Sequence, residues 1–107
     1  QQEPPYRKDE RMTRVVYKKN HGHYFECTGH SNYDQNGKDL VCAAVSTLCC
    51  TLANSLMEKG IEPIAYEDGA VVIRTSEEDL ETSTIFHTVM IGFDCLAEQY
   101  GDYIEIF

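Results

Sequence analysis

A 21-residue segment, 39–59, constrains the fold of this 107-residue chain more than any other part of it. It has no charged residue between Asp39 and Glu58, and its apolar side chains are spread around the helical wheel. Asp39 is a favourable N-cap residue, and Gly60 is a favourable residue for ending a helix. A helix that is apolar on nearly all sides is typical of one enclosed by other elements. We therefore expect a helix from Asp39 to Lys59 that is largely buried between layers.

The remaining elements follow from side-chain periodicity and from two turns. Segments rich in β-branched and aromatic residues flank Asn20-His21-Gly22, and Asp68-Gly69 is a strong hairpin signal. The predicted elements are strands 13–19 and 23–28, helix 39–59, a second hairpin within 61–75, helix 79–100 and strand 103–107. This order, β-β-α-β-β-α-β, indicates an α+β domain of hairpin-paired strands and two helices.

Size and composition indicate one globular domain, since 42% of the residues are hydrophobic and 25% are charged. Residues 1–11 hold two prolines, three basic and three acidic residues, and no periodic apolar residue. We interpret them as a disordered extension or an expression remnant, with Met12 as the native start of a single domain over 12–107. No apolar run approaches about 18 uninterrupted residues, and no secretory signal is present. The expectation is a cytoplasmic protein without a membrane partner.

Charge is distributed unevenly along the chain. Residues 12–60 carry five basic and four acidic residues, whereas residues 61–107 carry one basic and eleven acidic residues. An acidic surface repels nucleic acid phosphates and attracts cationic partners. We expect a basic polypeptide as partner and no direct contact with nucleic acid.

The five cysteines do not resemble a disulfide framework, because their number is odd and two of them are adjacent. Reduced thiols are the better interpretation. Cys27 and His30, with His21 and His23 nearby, raise the alternative of a zinc site. A closed zinc site needs four ligands in recognisable pairs, and strand alternation turns residues 23 and 27 away from residue 30. The sequence therefore favours no metal and no cofactor.

One histidine and one cysteine have a pattern that permits nucleophilic catalysis. His30 follows a strand, and Cys42 follows Asp39 in the first turn of the predicted helix. A helix N-terminus and an imidazolium both lower the pKa of a thiol, and only the thiolate is a strong nucleophile. His30 would act first as general base and then as general acid. From these residues alone a packed cysteine and an exposed loop histidine remain open alternatives.

The spacing of these residues matches a known family. The run Gly29-His30, then Gly37-Lys38-Asp39-Leu40-Val41-Cys42-Ala43-Ala44-Val45-Ser46, resembles the signature of the Prp family, the ribosomal-processing cysteine proteases of bacteria. Chain order and length from Met12 to Phe107 also resemble the family. The resemblance implies a cysteine endopeptidase with His30 and Cys42 as catalytic residues and Ser46 in or near the substrate cleft.

The same resemblance implies a substrate and an assembly. Family members remove a short N-terminal extension from a protein of the large ribosomal subunit before assembly. They cut after an aromatic residue in a segment flanked by basic residues, and they form homodimers. The closing strand 103–107 has one charged residue, Glu105, so it would be an aggregation-prone edge unless it is covered or paired.

Supporting roles stay open at this point. Asp39 either caps the helix, which we favour, or accepts a hydrogen bond that fixes the tautomer of His30. Ser46 is otherwise an ordinary helix serine, and Gly29 either lets a substrate approach closely or merely ends a strand. The polar segment Ser31–Lys38 is predicted to be a lid that substrate orders.

Two functions of other classes remain alternatives. A non-catalytic, ribosome-associated module would bind basic peptides and keep Cys42 as a packing residue. A redox or metal-sensing protein would use the cysteines for reversible oxidation or coordination.

Overall fold

The computed structural model describes residues 12–29 and 38–107, so the predicted extension 1–11 and the predicted lid Ser31–Lys38, except for its last residue, lie outside the described residues. The elements are β1 (Thr13–Lys19), β2 (His23–Thr28), α1 (Lys38–Met57), β3 (Ala65–Glu67), β4 (Ala70–Thr75), α2 (Leu80–Gln99) and β5 (Ile104–Ile106). Their order is the predicted one, and the α+β class is confirmed.

The strands form one five-stranded mixed sheet in the order β3-β4-β2-β1-β5. Both predicted hairpins are present, because β1 pairs antiparallel with β2 and β3 with β4. β2 and β4 join the two hairpins in antiparallel register. β5 runs parallel to β1 and lies at one edge of the sheet, whereas β3 lies at the other.

Both helices cover the same face of this sheet. Alternate strand residues point toward them and are buried, as expected for a period of two: Thr13, Val15, His23, Phe25, Cys27, Val71, Ile73 and Ile104. Phe25 of β2 meets Phe93 of α2 with ring centroids 5.8 Å apart, and Val41, Val45, Leu52 and Leu56 of α1 join the same core. The domain therefore has two layers, helices on one side and the sheet on the other.

Helix α1 is less enclosed than expected. Only 39% of the segment Leu40–Met57 is buried inside the domain, and Leu40 is 63% exposed. The exposed face carries Thr47, Cys50, Thr51 and Asn54, small or polar residues that tolerate water. The expectation of a helix between layers was wrong because such residues, together with alanine, do not mark a face that must be buried.

The same segment corrects the expectation about membrane spans. Leu40–Met57 has a mean hydropathy of 1.8 and no charged residue, which satisfies the length and composition of a span. Its larger apolar side chains nevertheless fill the core beneath the sheet. Length and composition alone do not distinguish a core helix of this kind from a membrane span.

The helix ends show why these segments stop where they do. Gly60, at φ +87°, closes α1 with bonds from its N–H to the Met57 carbonyl and from the Ile61 N–H to the Leu56 carbonyl. This pair of bonds is the Schellman motif, and it confirms Gly60 as the predicted end signal. Asp79 is the N-cap of α2, and its carboxylate accepts hydrogen bonds from the Thr82 N–H and hydroxyl. These bonds, with a smaller contribution from Lys59, lower the pKa of Asp79 to about 2.

A buried histidine lies at the end of the sheet where β2 begins. His23 is 3% exposed and stacks on Phe86 of α2 with centroids 4.5 Å apart. Its Nδ1 is 2.7 Å from the Tyr17 hydroxyl, and its Nε2 is 3.4 Å from the Ser83 hydroxyl. The alternation of His23 with Phe25 and Cys27 was the sequence signal for this inward position.

This histidine should make stability depend on pH. Burial is the main cause that lowers the pKa of His23, and nearby Lys19 lowers it further, against Glu78 and Asp79. The folded state thus binds the proton less tightly than the unfolded state, whose His pKa is about 6.5. Stability is fully present above that pH and is lost as pH falls below it. We expect the urea concentration at the midpoint of unfolding to decrease as the pH is lowered from 7 to 5.

The matched variants for this prediction are His23→Gln and His87→Gln. His87 is exposed on α2, so its replacement should leave the pH dependence unchanged. His23→Gln should flatten the dependence, whatever its effect on absolute stability. An equally steep dependence in His23→Gln would contradict the assignment.

Candidate active site

The direction of α1 brings its N-terminus to the end of β2. Lys59, just beyond α1, binds Asp79 at 3.3 Å and Glu81 at 2.6 Å at the start of α2. The first residue of β2, His23, lies at that same end of the domain, because it pairs with Thr75 and contacts Ser83 of α2. α1 therefore runs antiparallel to β2, and its first turns lie at the end where β2 finishes.

A thiol contact fixes this alignment more closely. The buried thiol of Cys27 in β2 interacts with the buried thiol of Cys49 in α1 inside the core. From that contact Cys42 lies seven helical residues away, about 10 Å along the axis. Gly29 follows Cys27 by two residues, so it is displaced about 7 Å in the same direction. Cys42 and Gly29 therefore lie at nearly the same height along this axis. His30, which follows Gly29, lies outside the described residues.

Cys42 is the fifth residue of α1 and is 6% exposed. Side chains in a helix tilt toward its N-terminus, where the first N–H groups have no partner inside the helix and the dipole is positive. A helix N-terminus is one of the environments in which a cysteine can become a reactive thiolate. We predicted Cys42 in the first turn, but α1 begins at Lys38, so Cys42 lies at the start of the second turn.

The same helix start corrects the role of Asp39. As the second residue of α1, Asp39 lies inside the first turn and not at the N-cap position. A carboxylate in the first turn still interacts favourably with the positive end of the dipole.

The other cysteines have environments that differ from that of Cys42. All five lie in the described residues as thiols. The hydrogen bond with Cys49 and then burial raise the pKa of Cys27, which makes it an inert thiol of the core. Cys50 and Cys95 are exposed. Among the described residues, no group of three His, Cys, Asp or Glu side chains could hold a metal ion.

Gly29 is fixed by backbone contacts with two neighbouring segments. Its N–H donates to the Gly69 carbonyl at 3.1 Å, and its φ is +87°. A Cβ atom at this position would lie 2.6 Å from the Met12 carbonyl oxygen. Glycine is thus required by packing as well as by conformation. The contact ties the chain before His30 to the turn between β3 and β4.

Ser46 is exposed one turn after Cys42 and lines a cleft of about 330 Å³. The cleft lies between α1 and the hairpin β3–β4, with Tyr66, Glu67 and Asp68 on the hairpin side. The sequence predicted the turn at Asp68-Gly69 but gave no signal that the hairpin approaches Ser46, because that approach depends on tertiary packing. Ser46 is the ninth of the twenty residues of α1, so it lies near the middle of the helix, one turn from Cys42.

Known proteins resemble this chain in sequence and in fold. The family model for the cysteine protease Prp matches residues 12–105. The ribosomal processing cysteine protease Prp of Bacillus subtilis strain 168 is 26% identical over 91 residues, which cover 77% of this chain and 81% of that protein.

Solved structures share the fold. The essential ribosomal processing protease Prp from S. aureus, in complex with a substrate peptide, superposes with a TM-score of 0.77 at 24% identity, covering 90% of this chain and 98% of that one. The same protease with a covalently linked product peptide gives a TM-score of 0.73 at 25% identity, covering 89% and 97%. With a family model that spans nearly the whole described domain, the chain belongs to the Prp family of cysteine proteases that process ribosomal proteins.

Proposed function

We propose that this protease removes the N-terminal extension of a protein of the large ribosomal subunit, with Cys42 as nucleophile and His30 as general base and acid. The observation that carries the proposal is that Cys42 and Gly29 lie at nearly the same height along α1 and β2. The N-terminal part of the helix and the residue that precedes His30 are therefore at the same end of the domain. The B. subtilis relative, named for ribosomal processing, supports the choice of substrate.

The chemistry follows from these positions. His30 takes the proton of the Cys42 thiol, and the thiolate attacks the carbonyl carbon of the scissile bond. The tetrahedral intermediate collapses to a thioester as His30 returns the proton to the leaving amine. Water then attacks the thioester, His30 accepts its proton, and the carboxylate product leaves with the thiol restored. No metal or cofactor enters this sequence.

Charge supports a cationic substrate. Residues 61–107 carry eleven acidic residues against Arg74, and the sequence pI is about 4.7. A basic ribosomal segment is attracted to such a surface, whereas nucleic acid is repelled. We place the reaction in the cytoplasm, where ribosomal proteins are made and assembled.

The direct test is incubation with the precursor of the ribosomal protein. Mass spectrometry should detect one cut, after an aromatic residue near the N-terminus, and the mature protein should remain intact. A precursor left uncut at micromolar enzyme, or cut at many scattered positions, would contradict the proposal.

A homodimer is part of the same proposal. β5 is an edge strand of three residues, and Phe107 beside it is 48% exposed. Exposed strand edges with apolar neighbours are commonly paired or covered. Light scattering should give twice the chain mass of 12.2 kDa, and a monomer at micromolar concentration would contradict it.

The role of Asp39 can be separated from that of His30 by one substitution. If Asp39 acts only through the charge and polarity of the first turn, Asp39→Asn should keep most activity, with a small loss of melting temperature. If Asp39 instead orients His30, the rate should fall by orders of magnitude at nearly unchanged melting temperature. We expect the mild outcome, measured as kcat/KM together with thermal unfolding.

A further inference from the structure

The cleft beside Ser46 has three kinds of surface in a fixed arrangement. Its floor is apolar, formed by the buried side chains of Cys49 and Val71. One wall is the ring of Tyr66, which is 43% exposed. Its rim carries the exposed carboxylates of Glu67 and Asp68.

The aromatic wall is held in place by hydrogen bonds. The Asn54 Nδ2 lies 3.3 Å from the Tyr66 hydroxyl and 3.3 Å from the Cys50 Sγ, and it donates to the Cys50 carbonyl at 2.8 Å. A ring tied to α1 at its hydroxyl end cannot swing freely on the hairpin. The cleft is therefore largely preformed, which reduces the entropy lost when a side chain enters it.

The rim carboxylates make no ion pair among the described residues. Within residues 12–29 and 38–107, the ion pairs are those that Lys59 makes with Asp79 and Glu81. Glu67 and Asp68 thus line the cleft without an ion-pair partner in that part of the chain. Their negative charge is available to a ligand.

The position of the cleft relates it to the reacting thiol. Ser46 and Cys49 follow Cys42 by four and seven helical residues, about 6 and 10 Å along α1. An extended peptide advances about 3.3 Å per residue. A side chain in the cleft would therefore belong to a residue two or three positions from the scissile bond.

A long cationic side chain satisfies all these surfaces at once. The methylene stem of lysine or arginine lies well against an apolar floor and an aromatic ring, and its charged head reaches a wet, acidic rim. A short acidic or polar residue gains neither contact. On this basis we propose that the cleft is a specificity subsite for a lysine or arginine two or three residues from the scissile bond, with Tyr66, Glu67 and Asp68 as its determinants. This inference rests on Cys42 being the nucleophile.

The test measures binding and does not require turnover. Peptides with one phenylalanine carry either lysine or its neutral isostere norleucine at each position up to four residues away. Their dissociation constants are measured by calorimetry on the Cys42→Ala protein at low ionic strength. We expect lysine to bind about tenfold more tightly than norleucine two or three positions from the phenylalanine, since two exposed carboxylates contribute.

The decisive variant adds Glu67→Gln and Asp68→Asn, a pair that keeps the turn, because Asn-Gly is as good a turn pair as Asp-Gly. Lysine and norleucine should then differ by less than about twofold. Asp94→Asn with Glu98→Gln makes the same charge change on the exposed surface of α2 and should keep the preference.

Three results would overturn the subsite: equal binding of the two peptides, no binding of either, or a lysine preference that survives in the Glu67/Asp68 variant. Because the probes are synthetic peptides, failure to process the ribosomal precursor would count against the proposed substrate without altering this measurement.

Discussion

Cys42→Ala is expected to lower kcat for cleavage of the ribosomal precursor by about 10⁴-fold or more. In the proposed reaction the sulfur of Cys42 is the atom that attacks, and alanine has no group that can replace it. His30→Ala should be equally inactive, and the double variant no worse than either single one, because the two residues act as a unit. Cys42→Ser should also be severely impaired, since a hydroxyl is far harder to deprotonate than a thiol.

Cys95→Ala is the matched control, because it removes an exposed thiol from α2 and should keep full activity. Circular dichroism would verify that each variant is folded. Iodoacetamide at pH 6 adds an independent measurement, since a thiolate at Cys42 should react faster than the more accessible Cys95. Robust turnover by either catalytic variant would end the assignment. A wild-type protein that binds basic peptides without cutting them would support the non-catalytic alternative.

Gly29→Ala is expected to reduce both stability and activity. The new methyl group would meet the Met12 carbonyl oxygen at 2.6 Å in a backbone conformation that alanine rarely adopts. Relief requires β1 or the end of β2 to move, and that movement displaces the residue that leads into His30. We expect an unfolding free energy lower by about 2 kcal/mol or more, measured by urea denaturation, and a fall in kcat.

The chain contains a matched control for this substitution. Gly60 has the same φ of +87°, but a Cβ atom there would meet no heavy atom within 4 Å. Gly60→Ala therefore carries the conformational cost without the clash, about 1–2 kcal/mol. The difference between the two variants isolates the contact with Met12. An equal loss of stability in both would show that this contact contributes nothing.

Local chemistry explains which parts of the fold were predictable. Gly60 ends α1 and Asp79 caps α2 through bonds to residues within five positions, so sequence neighbours alone specify them. The hairpin turns are local in the same sense. The number, type and order of the elements followed from such signals.

Features that depend on distant contacts were not predictable. The parallel pairing of β5 with β1 joins residues about ninety positions apart, and no local pattern encodes it. The enclosure of α1 was overestimated because alanine, cysteine and threonine face core or solvent equally well. The buried position of His23 was visible only as alternation along β2.

In the candidate site, too, the residues of one continuous segment were predictable and the contacts between distant segments were not. The spacing from Gly29 to Ser46 identified the motif, because sequence distance along one segment is what a family signature preserves. The reason for glycine at position 29 was not visible, because its partners Met12 and Gly69 come from other segments. For the same reason Tyr66, Glu67 and Asp68 carried no sign of lying beside the helix that contains Cys42.

The contact between Met12 and Gly29 also determines where other polypeptides can be joined to this domain. β1 begins beside Gly29, so a polypeptide joined before Met12 would meet the domain at the end that holds Gly29 and Cys42. β5 runs parallel to β1, and the Phe107 carbonyl accepts from the Tyr17 N–H, well along β1 from that end. A purification tag or fluorescent partner placed before Met12 would therefore lie near the proposed catalytic residues, whereas one placed after Phe107 would start nearer the opposite end of β1.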